Sequence, residues 1–208
     1  MSQFATRQAM LRARTRQEHQ SLEAVPALAC LLTDRVSLAD YALVLRVLHG
    51  FHRVLAPRIL MCLSDTSPVC ALLDGQRVAS LQEDLAWLGV PPLPDRQPFP
   101  RLETYSHAMG ALYVLEGSNL GGRVIARHLS DSLQLRNGAG ASFFDGLSAE
   151  TARERWQILG SALDAAEPLI DEEALLTGAC ATFRSLERQF GQIPLDLRQT
   201  CLTAAAAD

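Results

Sequence analysis

Residues 106–129, SHAMGALYVLEGSNLGGRVIARHL, decide the fold. Met109, Leu112, Tyr113, Leu120, Val124, Ile125 and Leu129 recur at three and four residues, the spacing of one face of an α-helix, yet Gly117, Gly121 and Gly122 stand in the middle. Each glycine in a helix interior costs about 1 kcal/mol relative to alanine, so three together need a reason. Either the helix kinks or breaks there, with Ser118 and Asn119 as polar groups in the bend, or something comes very close to its backbone. A second helix could do so, crossing at Gly117 and Gly121, four residues apart. A flat ligand could do so equally.

Helical periodicity continues in both directions. Tyr41, Val44, Leu45, Leu48, Phe51, Leu55 and Ile59 line one face of a long helix, which Ser37 and Asp40 open as a capping box. Val78, Leu81, Leu85 and Leu88 repeat the pattern, as do Trp156, Leu159 and Leu163, and then Leu175, Ala179, Phe183, Leu186 and Phe190. No segment alternates with period two between hairpin signals, which excludes a substantial sheet. Breaks are expected at Pro57, which should kink or end its helix, at Pro68, and in a rigid loop over residues 89–100 that carries five of the ten prolines. The glycines of RNGAGAS, residues 136–142, predict a second loop, and Pro168 with Asp171 separates the last two helices. The expectation is all-α: one compact domain over residues 1–208, core at about 10–192, with about seven or eight helices and a kinked glycine-rich one among them.

Composition agrees with that size. Apolar residues make up 48% and charged ones 20%, a globular balance. The net charge of −4 provides no positive field for a phosphate backbone, so nucleic acid is not an expected partner. The N-terminal residues show no apolar signal region, and no run of residues is long and apolar enough to span a bilayer. A cytoplasmic protein without a membrane segment is expected. Cys30, Cys62, Cys70, Cys180 and Cys201 are odd in number and scattered, which points to reduced core thiols rather than disulfides or a thiolate metal site.

A second segment carries chemistry. Residues 11–26, LRARTRQEHQSLEAVP, read as the first helix, with Pro26 stopping it. At 3.6 residues per turn, Arg12, Arg16, His19 and Glu23 fall within about 60° of one another. A metal-bound histidine works best when a carboxylate holds its second ring nitrogen, and Glu23 stands one turn from His19. The two arginines could meet anionic groups of the same ligand. An ordinary exposed His–Glu pair on a helix surface accounts for the pattern as well. Of the other histidines, His49 and His52 adjoin the apolar stripe and read as core-edge residues, while His107 and His128 read as solvated.

Taken together, L-R-x-R-T-R-x-x-H-x-x-L-E over residues 11–23 and Y-V-L-E-G-S-N-L-G-G over residues 113–122 resemble the proximal and distal helices of the haem oxygenase family, in its bacterial branch. GACATFRSLERQF, residues 178–190, is similar to the family's last core helix, and FFDGLS, residues 143–148, is similar in placement. The resemblance runs from about Arg12 to Phe190 and is strongest in the first two segments. It implies that His19 is the proximal iron ligand and Glu23 its hydrogen-bond partner. It also implies that Arg12 and Arg16 lie towards the haem propionates, and that Gly117, Gly121 and Gly122 line the distal face, with Ser118 or Asn119 holding water there. The implied activity is cleavage of haem b, at once substrate and cofactor, by O₂ to biliverdin, CO and Fe²⁺.

Electrons would come from a ferredoxin or a flavin-dependent reductase, since the chain has neither a dinucleotide-binding motif nor iron–sulfur spacing. A biliverdin-accepting protein is a further implied partner. The mammalian members carry an aspartate after the first distal glycine, where this chain has Ser118, which leaves proton delivery unassigned. The C-terminal LTAAAAD has no apolar tail, so no membrane anchor is expected.

The main rival is a protein that stores or hands on haem without opening it, for which one ligand, a clamp and a glycine pocket would serve as well. Di-iron chemistry would need Glu-x-x-His pairs on two helices, and thiaminase-like chemistry a cysteine in an activating setting; the sequence offers neither. A helical adaptor without cofactor leaves the glycine-interrupted helix unexplained.

Overall fold

The computed structural model describes residues 5–63, 67–94, 99–165 and 170–193. Among them are nine α-helical segments, two 3₁₀ stretches and no strand. Setting aside two single-turn segments, the count agrees with the expected seven or eight. Pro168, Cys201, the LTAAAAD terminus and residues 95–98 of the proline loop lie outside the described residues.

The expected first helix is two. α1, Arg7–Arg14, starts at Thr6, whose side chain accepts from the Ala9 N–H, and stops at Thr15. α2, Arg16–Glu23, follows at once. The cause is Thr15 itself: buried, with its hydroxyl donating to the Leu11 carbonyl at 2.8 Å, it takes the backbone out of helical geometry (φ −103°, ψ 11°). Pro26 does stop α2 and also opens α3, Pro26–Ala29, at the first helical position, where proline is favoured. A 3₁₀ turn, Cys30–Leu32, follows.

α4, Leu38–Leu60, opens with the expected capping box: Asp40 N–H donates to Ser37 Oγ and Ser37 N–H to Asp40 Oδ2. It is buried on nearly all sides, as a central helix must be. Pro57 lies inside it and the helix ends three residues later. A 3₁₀ stretch, Pro68–Leu73, leads to α5, Gln76–Trp87. α6, Tyr105–Leu133, is one uninterrupted helix through all three glycines, so of the two alternatives a break at Gly117–Gly122 is ruled out; the helix ends on Gln134 in the left-handed region (φ 57°). The loop at 136–142 is pinned by isolated bridges from Arg136 to Ala139 and Gly140. α7, Ser142–Asp145, α8, Ala149–Ala165, and α9, Glu172–Gly191, complete the body, α9 being capped by the Asp171 carboxylate.

The closest helix packing is α6 on α9. Glycines permit it, but not those expected. A Cβ on Gly110 would collide with the Leu175 carbonyl and approach the Ala179 nitrogen at 2.7 Å, and one on Gly178 would collide with the His107 carbonyl. Backbone cannot retreat as a side-chain tip can. We therefore expect Gly110→Ala or Gly178→Ala to cost about 3 kcal/mol, the upper end of overpacking penalties, in denaturant unfolding. Gly121→Ala, with open space around its Cβ, should fall within about 0.5 kcal/mol of the parent.

Candidate functional site

His19 stands on an unusual helix: α2 has no buried residue, and it packs chiefly on α9 rather than on α6. Its imidazole Nδ1 lies 3.2 Å from Glu23 Oε2, with both side chains more than half exposed. One ring face is not free, because Phe183 of α9 meets the imidazole edge-on with centroids 5.7 Å apart. A carboxylate at that distance favours the tautomer with its proton on Nδ1 and leaves Nε2 available. Arg12 and Arg16 are exposed on the two sides of the Thr15 break. Burial raises the pKa of the Tyr113 phenol, while a hydrogen bond with Thr15 and the positive charge of Arg12 pull it back, so these three residues gather at one end of the site.

On α6 the glycines separate into two kinds. Gly117 and Gly121 fall on one side with exposed Leu120 and Val124. A Cβ at Gly117 would make ordinary contact with Trp156 at 3.6 Å, and one at Gly121 would meet nothing. No protein neighbour requires either to be glycine, and the helix crossing uses Gly110 and Gly178 instead. Gly122 belongs elsewhere: it is buried, with Phe144 3.3 Å from where its Cβ would be, and so serves packing. Ser118 donates its hydroxyl back to the Leu115 carbonyl at 2.7 Å. Asn119 is buried and donates to Glu116 Oε2 at 3.1 Å, away from the Gly117 side. The structure therefore places Arg12, Arg16, His19 and Glu23 exposed on one arm and Gly117 and Gly121 on one outer side of α6, while Gly122 and Asn119 face inwards.

That arm is anchored to α6 at both ends, by Thr15 beside Tyr113 and by the Thr33 carbonyl 2.9 Å from His128 Nε2. Between the anchors it presents His19. The donor set suits haem: one imidazole with a carboxylate behind it, two cations for the propionates, and an apolar strip of half-buried Gly117 with exposed Leu120, Gly121 and Val124 for the ring. The remaining histidines are engaged otherwise. His49 and His52 are deeply buried rather than at the core edge, His107 pairs with Thr104 at 2.9 Å, and His128 also pairs with Ser132.

Sequence reasoning missed a polar network under the glycine strip. Glu116, in an apolar run of α6, is held by Arg155 of α8 through two hydrogen bonds, Nη2 to Oε1 at 2.8 Å and Nε to Oε2 at 3.0 Å. Arg155 also donates to the Leu72 carbonyl and lies 3.6 Å from Asp74. His52, Arg77, Glu116 and Asn119 border a small cavity of about 20 Å³, room for one water, and Asn119 Oδ1 and Arg77 Nε are buried without a hydrogen-bond partner. A lone glutamate among apolar helix residues was the available signal, since such a group is rarely buried unpaired.

His52 gives the protein a pH dependence. Burial, with the nearby positive charge of Arg77 and with His49, pushes its pKa down to about 3. The unfolded chain binds a proton near pH 6.5 and the folded one does not, so stability falls as pH drops through 6.5 and keeps falling until about 3. We expect a loss of about 2 kcal/mol between pH 7 and pH 5 from this group, read from urea midpoints, and a shallower slope in His52→Gln.

The described helices of this chain include none long and apolar enough to cross a membrane, and the four described cysteines are half-buried and form no disulfide. No curated protein sequence matches the chain. Among solved structures it is similar to the NO- and CO-bound heme oxygenase of Neisseria meningitidis, with 23% identity, a TM-score of 0.73, and coverage of 90% of this chain and 94% of that one. At that identity the likeness establishes the all-α fold. The Heme oxygenase family model matches residues 5–191, from the cap of α1 to the last residue of α9. Since the match takes in both the arm that carries His19 and the helix that carries Gly117 and Gly121, the chain belongs to the haem oxygenase family, whose members are haem-degrading oxidoreductases.

Proposed function

We propose that this chain opens the haem b macrocycle at the site between α2 and α6, with His19 as the iron ligand. The observation that carries the reading is a carboxylate-held imidazole on α2, a helix without buried residues, together with Gly117 and Gly121 of α6, which no protein atom explains. Haem, when bound, supplies the iron that activates O₂ and the ring that is oxidised, giving biliverdin, CO and Fe²⁺.

The chain's own residues do the rest. Glu23 holds the Nδ1 proton of His19, so that the ligand is a basic imidazole in one tautomer. Arg12 and Arg16 bind the propionates and set the rotation of the ring in the site. Gly117 and Gly121 let the plane lie close against the α6 backbone, and Leu120 and Val124 keep water from the apolar part of the ring. Of the polar pair, Ser118 is the better placed to hold water at that face, because it is exposed beside the strip while Asn119 faces Glu116. Electrons come from a ferredoxin or a flavin-dependent reductase, and the product passes to a biliverdin-accepting protein.

The test is spectroscopic. Hemin added to the purified protein should give a Soret band that decays under aerobic reduction by ascorbate or a ferredoxin system while a biliverdin band grows. A Soret band stable under those conditions would favour haem storage, and failure to form one would sink the reading.

A further inference from the structure

We infer that Glu18 is a positioning residue for His19: with Arg184 and Cys180 of α9 it forms a latch that fixes the rotation of α2, and hence the direction in which His19 faces the cleft. The inference rests on the reading that His19 ligates haem.

α2 has no fully buried residue and sets only half-buried Leu22 against the core, so apolar burial alone cannot fix its orientation. The directional contacts that hold it are concentrated on one face of α9. Phe183 meets the His19 ring. Arg184 Nη2 donates to Glu18 Oε1 at 2.6 Å, and the Cys180 thiol hydrogen-bonds the same carboxylate. Cys180, Phe183 and Arg184 are spaced i, i+3 and i+4, so they share one stripe of α9. Glu18 and His19 are neighbours on α2, and each takes one part of that stripe. The ring contact is weakly directional and by itself permits α2 to roll. The carboxylate is different: its side chain is only 13% exposed against 61% for Arg184, and a short charge-assisted bond with a second donor beside it defines a distance and an angle.

Two acids on this short helix therefore have separate tasks. Glu23 acts on the ring of His19 by holding Nδ1, and Glu18 acts on the helix that carries it.

The experiment compares the parent with Glu18→Gln, Arg184→Met and Arg184→Lys. Three readouts are taken: transfer of haem to apomyoglobin from the hemin-loaded protein, the Fe–His stretching band of the ferrous protein, and hydrogen exchange of the α2 amides in the full chain without haem. Loss of one charged hydrogen bond should speed haem transfer and α2 exchange about tenfold, and shift or broaden the Fe–His band. Arg184→Lys should stay close to the parent. Arg184 is largely exposed, so Arg184→Met keeps the test valid even if Glu18→Gln does not fold. Unchanged transfer, exchange and Fe–His band in the variants that fold would overturn the latch. His19→Ala separates the two levels: if it too leaves transfer and spectrum unchanged, the ligand reading itself fails, whereas if only His19→Ala alters them, the latch alone is wrong.

Discussion

His19→Ala is expected to lower the rate of biliverdin formation by more than about a hundredfold and to remove the imidazole signature from the ferric haem spectrum. No other described side chain is free to take over. His49 and His52 are sealed in the core, His107 is tied to Thr104, and His128 is tied to Thr33 and Ser132 at the far anchor of the arm. Cys180 is turned to Glu18, and burial raises its thiol pKa, which keeps it from acting as a thiolate ligand. Glu23→Ala gives the scale for comparison. It leaves the ligand in place but frees Nδ1, and outer partners of this kind are worth about tenfold to a hundredfold in metal affinity. The expected order is parent, Glu23→Ala, His19→Ala, in both hemin affinity and initial rate. Equal rates for parent and His19→Ala would remove His19 from the mechanism.

The long helices were legible because each buries a stripe, and a stripe leaves a period in the sequence: α4, α5, α6, α8 and α9 all follow it, and the capping box at Ser37 forms as written. The break at Thr15 was not legible, since it depends on burial of a threonine inside a polar run, which is a tertiary fact. Glycine roles divided in the same way. Spacing could not say that Gly110 and Gly178, rather than Gly117 and Gly121, meet backbone, because their partners lie more than sixty residues away in the chain. The positions of Ser118, Asn119 and Gly122 were open to reading only once the helix was known to be continuous. In an unbroken helix Asn119 is about 200° from Gly117 and Gly122 about 140°, so neither can share its face.

The second large effect concerns the pair beneath the glycine strip. Arg155→Met is expected to cost about 3 kcal/mol, because it leaves the carboxylate of Glu116 in the interior without its hydrogen-bonded counter-charge and with only the more distant Arg77. That would be a large share of the stability of an ordinary domain. Burial opposes the Arg155 charge, but the hydrogen bonds and attraction of Glu116, with Asp74 beside it, more than offset this and raise its pKa. Glu116→Gln should cost less, since an amide can still accept from Arg155. The double variant Glu116→Leu with Arg155→Met removes both charges and should recover most of the loss, as replacement of a buried ion pair by apolar groups of similar size commonly does. Guanidinium unfolding of the four proteins decides it, and a single variant Arg155→Met within about 1 kcal/mol of the parent would show that the pair carries no such weight. Glu116 immediately precedes Gly117, and Arg155 ties it to α8 and to the Leu72 carbonyl, so the pair also sets where the glycine strip stands relative to the arm. If the double variant regains stability but its hemin-loaded form still turns over slowly, the ion pair is retained for that placement and not for folding.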